Sequence, residues 1–216
     1  WEISIGNIGF RFSTREEAQA SHLRWFPCNK GGGFHKWYGN NWYVVDWSDD
    51  GRKLSAFPGS VIRNSSYYFQ EGITWGAISS SDLSVRLGLK GSIFESKGAM
   101  AFARNHDDLL ICLALTNTAL VNNLMRILAP TLDYSEGPVG RVPFPKLPDN
   151  ESALIAKLSA KNVSVTQVDW DSFETSWDFS CHPLVRGHLV SEAFDAWSAE
   201  CQDRFDTLKS NEEELN

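Results

Sequence analysis

The feature that most restricts how this chain folds is a change of hydrophobic pattern near residue 104. Before it, short aromatic and β-branched segments end on turn-forming residues: Trp42-Tyr43-Val44-Val45-Asp46-Trp47 ahead of Asp49-Asp50-Gly51, then Tyr67-Tyr68-Phe69, Gly72-Ile73-Thr74-Trp75-Gly76-Ala77-Ile78 and Ser92-Ile93-Phe94. Branched and aromatic side chains pack on a pleated surface, while Gly and Asp supply the backbone angles of turns, so these segments predict strands. After it, Leu109 to Leu115 is wholly apolar and reads as a buried strand. Thr116-Asn117 is placed to cap the helix predicted by Leu120, Val121, Leu124, Met125, Ile127 and Leu128, which Pro130 stops. Gly137 to Pro145 is too proline-rich for a central strand and is expected as an edge strand or extended connector closing a first domain near residue 148. Glu151 to Lys161 suits a short helix. Leu189, Ala193, Trp197, Cys201, Phe205 and Leu208, at steps of four and three, place an apolar stripe on a helix of about 25 residues. Strands first and helices afterwards predict an α/β (mixed α+β) fold, with residues 1–148 as one domain and 149–216 as a helical region. Trp1-Glu2-Ile3-Ser4-Ile5 alternates from the first residue and the chain closes just after Glu212-Glu213-Glu214, so both ends read as cuts within a longer polypeptide.

Nine tryptophans and thirteen phenylalanines in 216 residues supply the area for a sizeable core. The sequence holds no run of about eighteen uncharged apolar residues, so a soluble cytoplasmic protein with no membrane partner is expected. Cys28, Cys112, Cys181 and Cys201 include no Cys-x-x-Cys pair, which favours reduced thiols over a zinc site or a disulfide framework. The net charge of -7 argues against a phosphate-binding surface until it is divided along the chain. Residues 1–104 hold 12 Lys and Arg against 9 Asp and Glu, a charge of +3; residues 105–216 hold 8 against 18, a charge of -10. The basic excess lies with the strands and the acidic excess with the helices.

Lys30-Gly31-Gly32-Gly33-Phe34-His35-Lys36-Trp37-Tyr38-Gly39-Asn40 combines what a nucleic-acid contact needs. Glycines permit positive φ and close backbone approach, cations neutralise phosphate, and aromatic rings stack on bases. The same text also fits a loop whose Trp37 and Tyr38 enter the core. Arg63, Arg86, Lys90, Lys97 and Arg104 interleave with the predicted strands, where they can reach phosphates or base edges. Glu95-Ser96-Lys97 superficially resembles the acidic-x-Lys element of metal-dependent nucleases, with Asp82 as the one obvious second acid. His22, His35, His106, His182 and His188 form no short metal spacing, so no metal is expected. An amino-methylating centre needs a glycine-rich cofactor loop and an Asn/Asp-Pro-Pro-aromatic turn; the chain has no Pro-Pro, and Gly6-Asn7-Ile8-Gly9 is too short for the loop. No catalytic residue is therefore assigned.

Taken together, Lys30-Gly31-Gly32, Phe34, Lys36-Trp37-Tyr38-Gly39-Asn40, Val44-Val45-Asp46-Trp47, Arg63-Asn64, Tyr67-Tyr68-Phe69 and Gly72-Ile73-Thr74-Trp75 resemble the C-terminal part of the PglX family, the adenine-specific DNA methyltransferases of BREX phage-exclusion systems. Asp169 to Phe179, His182-Pro183-Leu184 and Asn211-Glu212-Glu213-Glu214-Leu215-Asn216 resemble that family's tail. His35 departs from the pattern, standing where the resemblance leads one to expect arginine. The resemblance implies a fold like the specificity domains of type IIG and type I restriction-modification enzymes, namely a target-recognition domain over 1–148 and a helical spacer over 149–216. It also implies double-stranded DNA as the partner, S-adenosylmethionine bound only in a catalytic methyltransferase domain N-terminal to this chain, and other BREX proteins as further partners. The DNA-contacting residues expected on these combined grounds are Lys30, Gly32, Lys36, Trp37, Tyr38, Asn40, Arg63, Tyr67, Trp75, Arg86 and Lys90, the cations on phosphates and the rings either stacking or bracing loops. Two rival readings are a protein-interaction module built on the acidic half and a nuclease using Glu95 and Lys97.

Overall fold

A computed structural model describes residues 3–131, 133–187 and 189–216. Trp1 and Glu2 of the alternating opening, and His188 of the histidine set, lie outside the described residues. The chain runs α1 (Arg15–Ala20), β1 (Trp25–Asn29), β2 (Tyr43–Asp46), α2 (Ser48–Ala56), β3 (Gly72–Gly76), β4 (Val85–Gly88), β5 (Ile93–Phe94), β6 (Gly98–Ala101), α3 (His106–Thr116), α4 (Ala119–Leu128), α5 (Glu136–Val139), α6 (Asp149–Trp170) and α7 (Val190–Leu215). The expected α/β class is observed, with the six strands among the described residues all ahead of the long helices.

The strands form two three-stranded sheets. The first has the order β2-β1-β5, with β1 antiparallel to β2 and parallel to β5; the second, β4-β3-β6, is antiparallel throughout. Phe26, Trp47, Tyr68, Phe69 and Ile93 bury the first sheet together with Ala18 of α1. The second sheet buries Ile73, Trp75, Val85, Leu87 and Ala99 against Leu109 and Leu113 of α3, with Val121 and Met125 of α4 and Val163 of α6 completing that core. The predicted turn at Asp49-Asp50-Gly51 is present, all three residues having positive φ within the Ser48–Ala56 stretch. Asp50 there receives the guanidinium of Arg15 and the indole N–H of Trp47, joining α1 to the turn.

Two expected strands take other forms. Leu109 to Leu115 lies inside helix α3, because Asn105 accepts from the Asp108 amide at 2.8 Å as an N-cap and Asp107 and Asp108 complement the helix dipole. Sheet on one side and α6 on the other bury this helix almost all round, which erases the polar face that would have shown its period. Tyr67 ends a 3-10 turn, and Phe69 sits at φ 70° with its ring fully buried against Phe26. Thr118, rather than Thr116 or Asn117, caps α4 by accepting from the Val121 amide. Asn117 is buried and serves the sheet instead: its carboxamide accepts from the Val85 amide and donates to the Val85 and Leu113 carbonyls. Gly137 and Pro138 lie in the short α5, after which Pro143 to Pro148 runs without regular structure to the start of α6. The helix expected over 151–161 extends to Trp170, and the apolar stripe after residue 189 becomes the 26-residue α7. No single helix among the described residues is long and apolar enough to cross a membrane.

Candidate nucleic-acid interface

The Lys30–Asn40 segment leaves the end of β1 and crosses β4. Its far half is anchored by the backbone: the Trp37 amide donates to the Val85 carbonyl at 2.9 Å and the Leu87 amide donates to the Trp37 carbonyl at 2.8 Å. The near half is a glycine loop. Gly31 and Gly32 hold φ of 89° and 135°, and a Cβ on Gly32 would lie 2.6 Å from the Asn40 carboxamide carbon, so both features that glycine permits are used. Asn40, itself at positive φ, donates to the Gly33 carbonyl at 2.8 Å.

Two distant stretches of chain meet this segment. Trp170, at the end of α6, lies edge-on to His35 and to Trp42, each with ring centroids 5.4 Å apart, and fits against Gly39. Glu212 of α7 accepts from Lys36 Nζ at 2.9 Å and from Trp37 Nε1 at 2.7 Å. Asn211 donates to Asn162 of α6, and the Asn216 side chain accepts from the Ala119 amide at the start of α4. Burial, followed by the Asp171 and Asp178 carboxylates, pushes the Tyr38 hydroxyl above its usual range. Burial and then Arg86 hold the His35 imidazole below its ordinary value, against a smaller upward pull from Asp169. Arg86 itself is 1% exposed; burial alone lowers it to about 10.

The expected contact residues divide by burial. Lys30, Gly32, Arg63, Tyr67 and Lys90 are exposed. Lys36 is half-buried in its ion pair with Glu212. Trp37, Tyr38, Asn40, Trp75 and Arg86 are buried. Of the two roles expected for the rings, burial leaves Trp37, Tyr38 and Trp75 the bracing one; Trp75 also donates its indole N–H to the Tyr134 carbonyl at 2.6 Å. Tyr67 remains at the surface, stacked on Phe102 at 4.9 Å. Lys90 borders a cleft of about 340 Å3 with Gln70, Asn105 and the His106–Glu71 pair, and is thus brought near the Tyr67 turn but not to the glycine loop. Asp82 is paired with Arg126 of α4, whereas Glu95 acts on the Cys28 thiol and its Oε1 is buried without a hydrogen-bond partner among the described residues.

No protein-family model matches the chain. Over 229 aligned residues it is 40% identical to the adenine-specific methyltransferase PglX of Lacticaseibacillus casei (strain Zhang), an alignment covering 100% of this chain and 19% of that protein. The chain matches the C-terminal part of PglX. It is also 34% identical over 198 residues to the adenine-specific methyltransferase BrxX of Escherichia coli O9:H4 (strain HS), covering 89% of this chain and 16% of that protein. The chain spans less than a fifth of the length of these curated relatives. Three of the PglX-like blocks in the sequence, within residues 30–47, 169–179 and 211–216, meet where Trp170 and Glu212 contact His35, Lys36, Trp37 and Trp42, just past the glycine loop. Nothing in the sequence pairs Glu212 or Trp170 with this segment beyond their membership of those blocks.

Proposed function

We propose that this chain is the DNA-target-recognition part of an adenine-specific methyltransferase of a phage-defence system, with residues 1–148 facing double-stranded DNA and 149–216 forming a helical spacer related to those of restriction-modification specificity subunits. Methyl transfer from S-adenosylmethionine to adenine belongs, in this reading, to a part of the protein outside this chain. One observation carries the assignment. Of the twelve Lys and Arg residues up to Arg104, six form ion pairs with described residues: Arg11, Arg15, Arg24, Lys36, Arg52 and Lys53. The other six, Lys30, Arg63, Arg86, Lys90, Lys97 and Arg104, have no carboxylate within ion-pair distance among the described residues, and all but Arg86 are exposed. A strand-bearing unit with exposed, uncompensated cations on its loops, in a chain of net charge -7, is suited to phosphate contacts that set register on a duplex.

The test is a salt series of duplex binding by the full-length protein. Each phosphate contact adds about 0.9 to the slope of log affinity against log salt, so Arg63→Ala and Lys90→Ala should each lower that slope by about this amount. Unchanged affinity and slope in both variants would refute the reading.

A second reading, docking of other proteins of the defence system, is favoured by Val190, Phe194 and Phe205, which are 68%, 56% and 61% exposed on α7. Binding to such partners with none to DNA would select it.

A further inference from the structure

Among the described residues, the least satisfied cation lies under the glycine loop. Arg86 projects from β4 with 1% of its surface exposed. Its Nη2 donates to the Gly31 carbonyl at 3.1 Å, whereas its Nη1 is buried with no partner, and none of the described carboxylates forms an ion pair with it. A buried guanidinium lacking both counter-charge and a full set of acceptors is costly, and such a group calls for an explanation. The loop above offers a second set of unused donors. The backbone amides of residues 31–34 donate to no acceptor among the described residues. Two side-chain bonds hold the loop down, Arg86 to Gly31 and Asn40 to Gly33. Gly33 faces open space, and positive φ at Gly31 and Gly32 gives the loop two pivots that other residues rarely allow. One further cation stands at the root of the loop: Lys30 precedes it with its ammonium 5.2 Å from the Tyr43 ring centroid. The nearest acid along the chain, Asp82, pairs with Arg126, and Glu95 bears on the Cys28 thiol rather than on Arg86.

We propose that the Gly31–Gly33 loop and Arg86 together form a phosphate seat: the loop turns outward about its glycines, the free Nη1 of Arg86 and the unpaired loop amides take the oxyanion, and a phosphate of the DNA backbone is its occupant. A planar guanidinium with a rank of backbone amides matches phosphate geometry. The seat deepens the recognition reading and rests on it only for the source of the phosphate. It also accounts for Gly32 and Arg86 as contact residues of different kinds, one moving and one receiving.

The experiment uses the full-length protein with two probes, inorganic phosphate at constant ionic strength against chloride, and a DNA duplex in a salt series. Phosphate should raise the melting temperature of the wild-type protein and leave that of Arg86→Met unchanged. In chloride, Arg86→Met should melt no lower than wild type, because the substitution removes an uncompensated buried charge and keeps apolar volume. The same variant should weaken duplex binding about tenfold and lower the salt slope by about 0.9. Asn40→Gly keeps the left-handed backbone and removes the Gly33 clamp, so it should enhance the phosphate shift; it provides the test if Arg86→Met does not fold. Equal phosphate shifts in wild type and both variants would overturn the seat. A lost phosphate shift with an unchanged duplex slope would overturn DNA as the source while keeping the seat. Should Arg63→Ala and Lys90→Ala leave duplex binding untouched while Arg86→Met abolishes the phosphate shift, the recognition reading fails and the seat stands.

Discussion

Removing Glu212 should loosen the glycine-loop segment from a helix 176 residues further along the chain. Its carboxylate accepts two bonds, from Lys36 Nζ at 2.9 Å and from the buried Trp37 indole at 2.7 Å. The indole bond is charge-assisted, a class that contributes about 1.5–3 kcal/mol. The ion pair keeps 22% and 30% of its two side chains exposed, so solvent screening limits it to about 0.5–1 kcal/mol. Glu212→Ala should therefore cost about 2–4 kcal/mol, lowering the melting temperature by about 4–16 °C for a chain of this size. Lys36→Met should cost less than about 1 kcal/mol, since it leaves the indole bond in place. A double-mutant cycle between the two positions, measured by urea unfolding with tryptophan fluorescence, should give a coupling of about 0.5–1 kcal/mol. If Glu212→Ala unfolds within about 0.5 kcal/mol of wild type, the helix merely lies beside the loop and the bracing argument for Trp37 is wrong.

The depressed His35 imidazole carries a sign: its contribution is fully present above the unfolded value of about 6.5 and is lost as pH falls through its lower folded value. His35→Phe should flatten stability against pH in that window, and a native imidazole titrating at or above 6.5 by NMR would contradict this. Alkylation at pH 8 should mark the exposed Cys181 first, because burial pushes Cys28 up to about 12, with Glu95 adding to it, and burial also raises Cys112, with Asp108 assisting. Mass spectrometry that finds Cys28 labelled as fast as Cys181 would show that β1 is more open than described.

What the sequence disclosed follows its physical period. Helices α4 and α7 carry stripes at steps of three and four because each has a solvent face, and β2 and β3 carry dense branched and aromatic text. Helix α3 reads as a strand in the sequence because it has almost no polar face to reveal its turn. Strand β1 was hidden by Pro27, which the sheet tolerates because β5 pairs only Cys28 and Asn29. Strands β4 and β6, Val-Arg-Leu-Gly and Gly-Ala-Met-Ala, have composition too weak to announce them. At the site, exposed Lys30, Arg63 and Lys90 were legible as charges between strands. The interment of Arg86 and the grip of Glu212 on Lys36 were not, because both depend on pairings between residues far apart in sequence.

The two sheets share the chain in an interleaved manner: β1, β2 and β5 make one, β3, β4 and β6 the other, and only three residues separate β5 from β6. At that crossing a Cβ on Gly98 would fall 2.3 Å from the Asn29 carbonyl oxygen, so the passage from one sheet to the other is threaded through a gap that admits no side chain. Neither sheet can close before the nascent chain has emerged past Phe94, and the second must await Ala101. A boundary drawn anywhere between Trp25 and Ala101 would strand an orphan edge on each fragment, which makes this stretch the one to be inherited, swapped or grafted between proteins only as a whole.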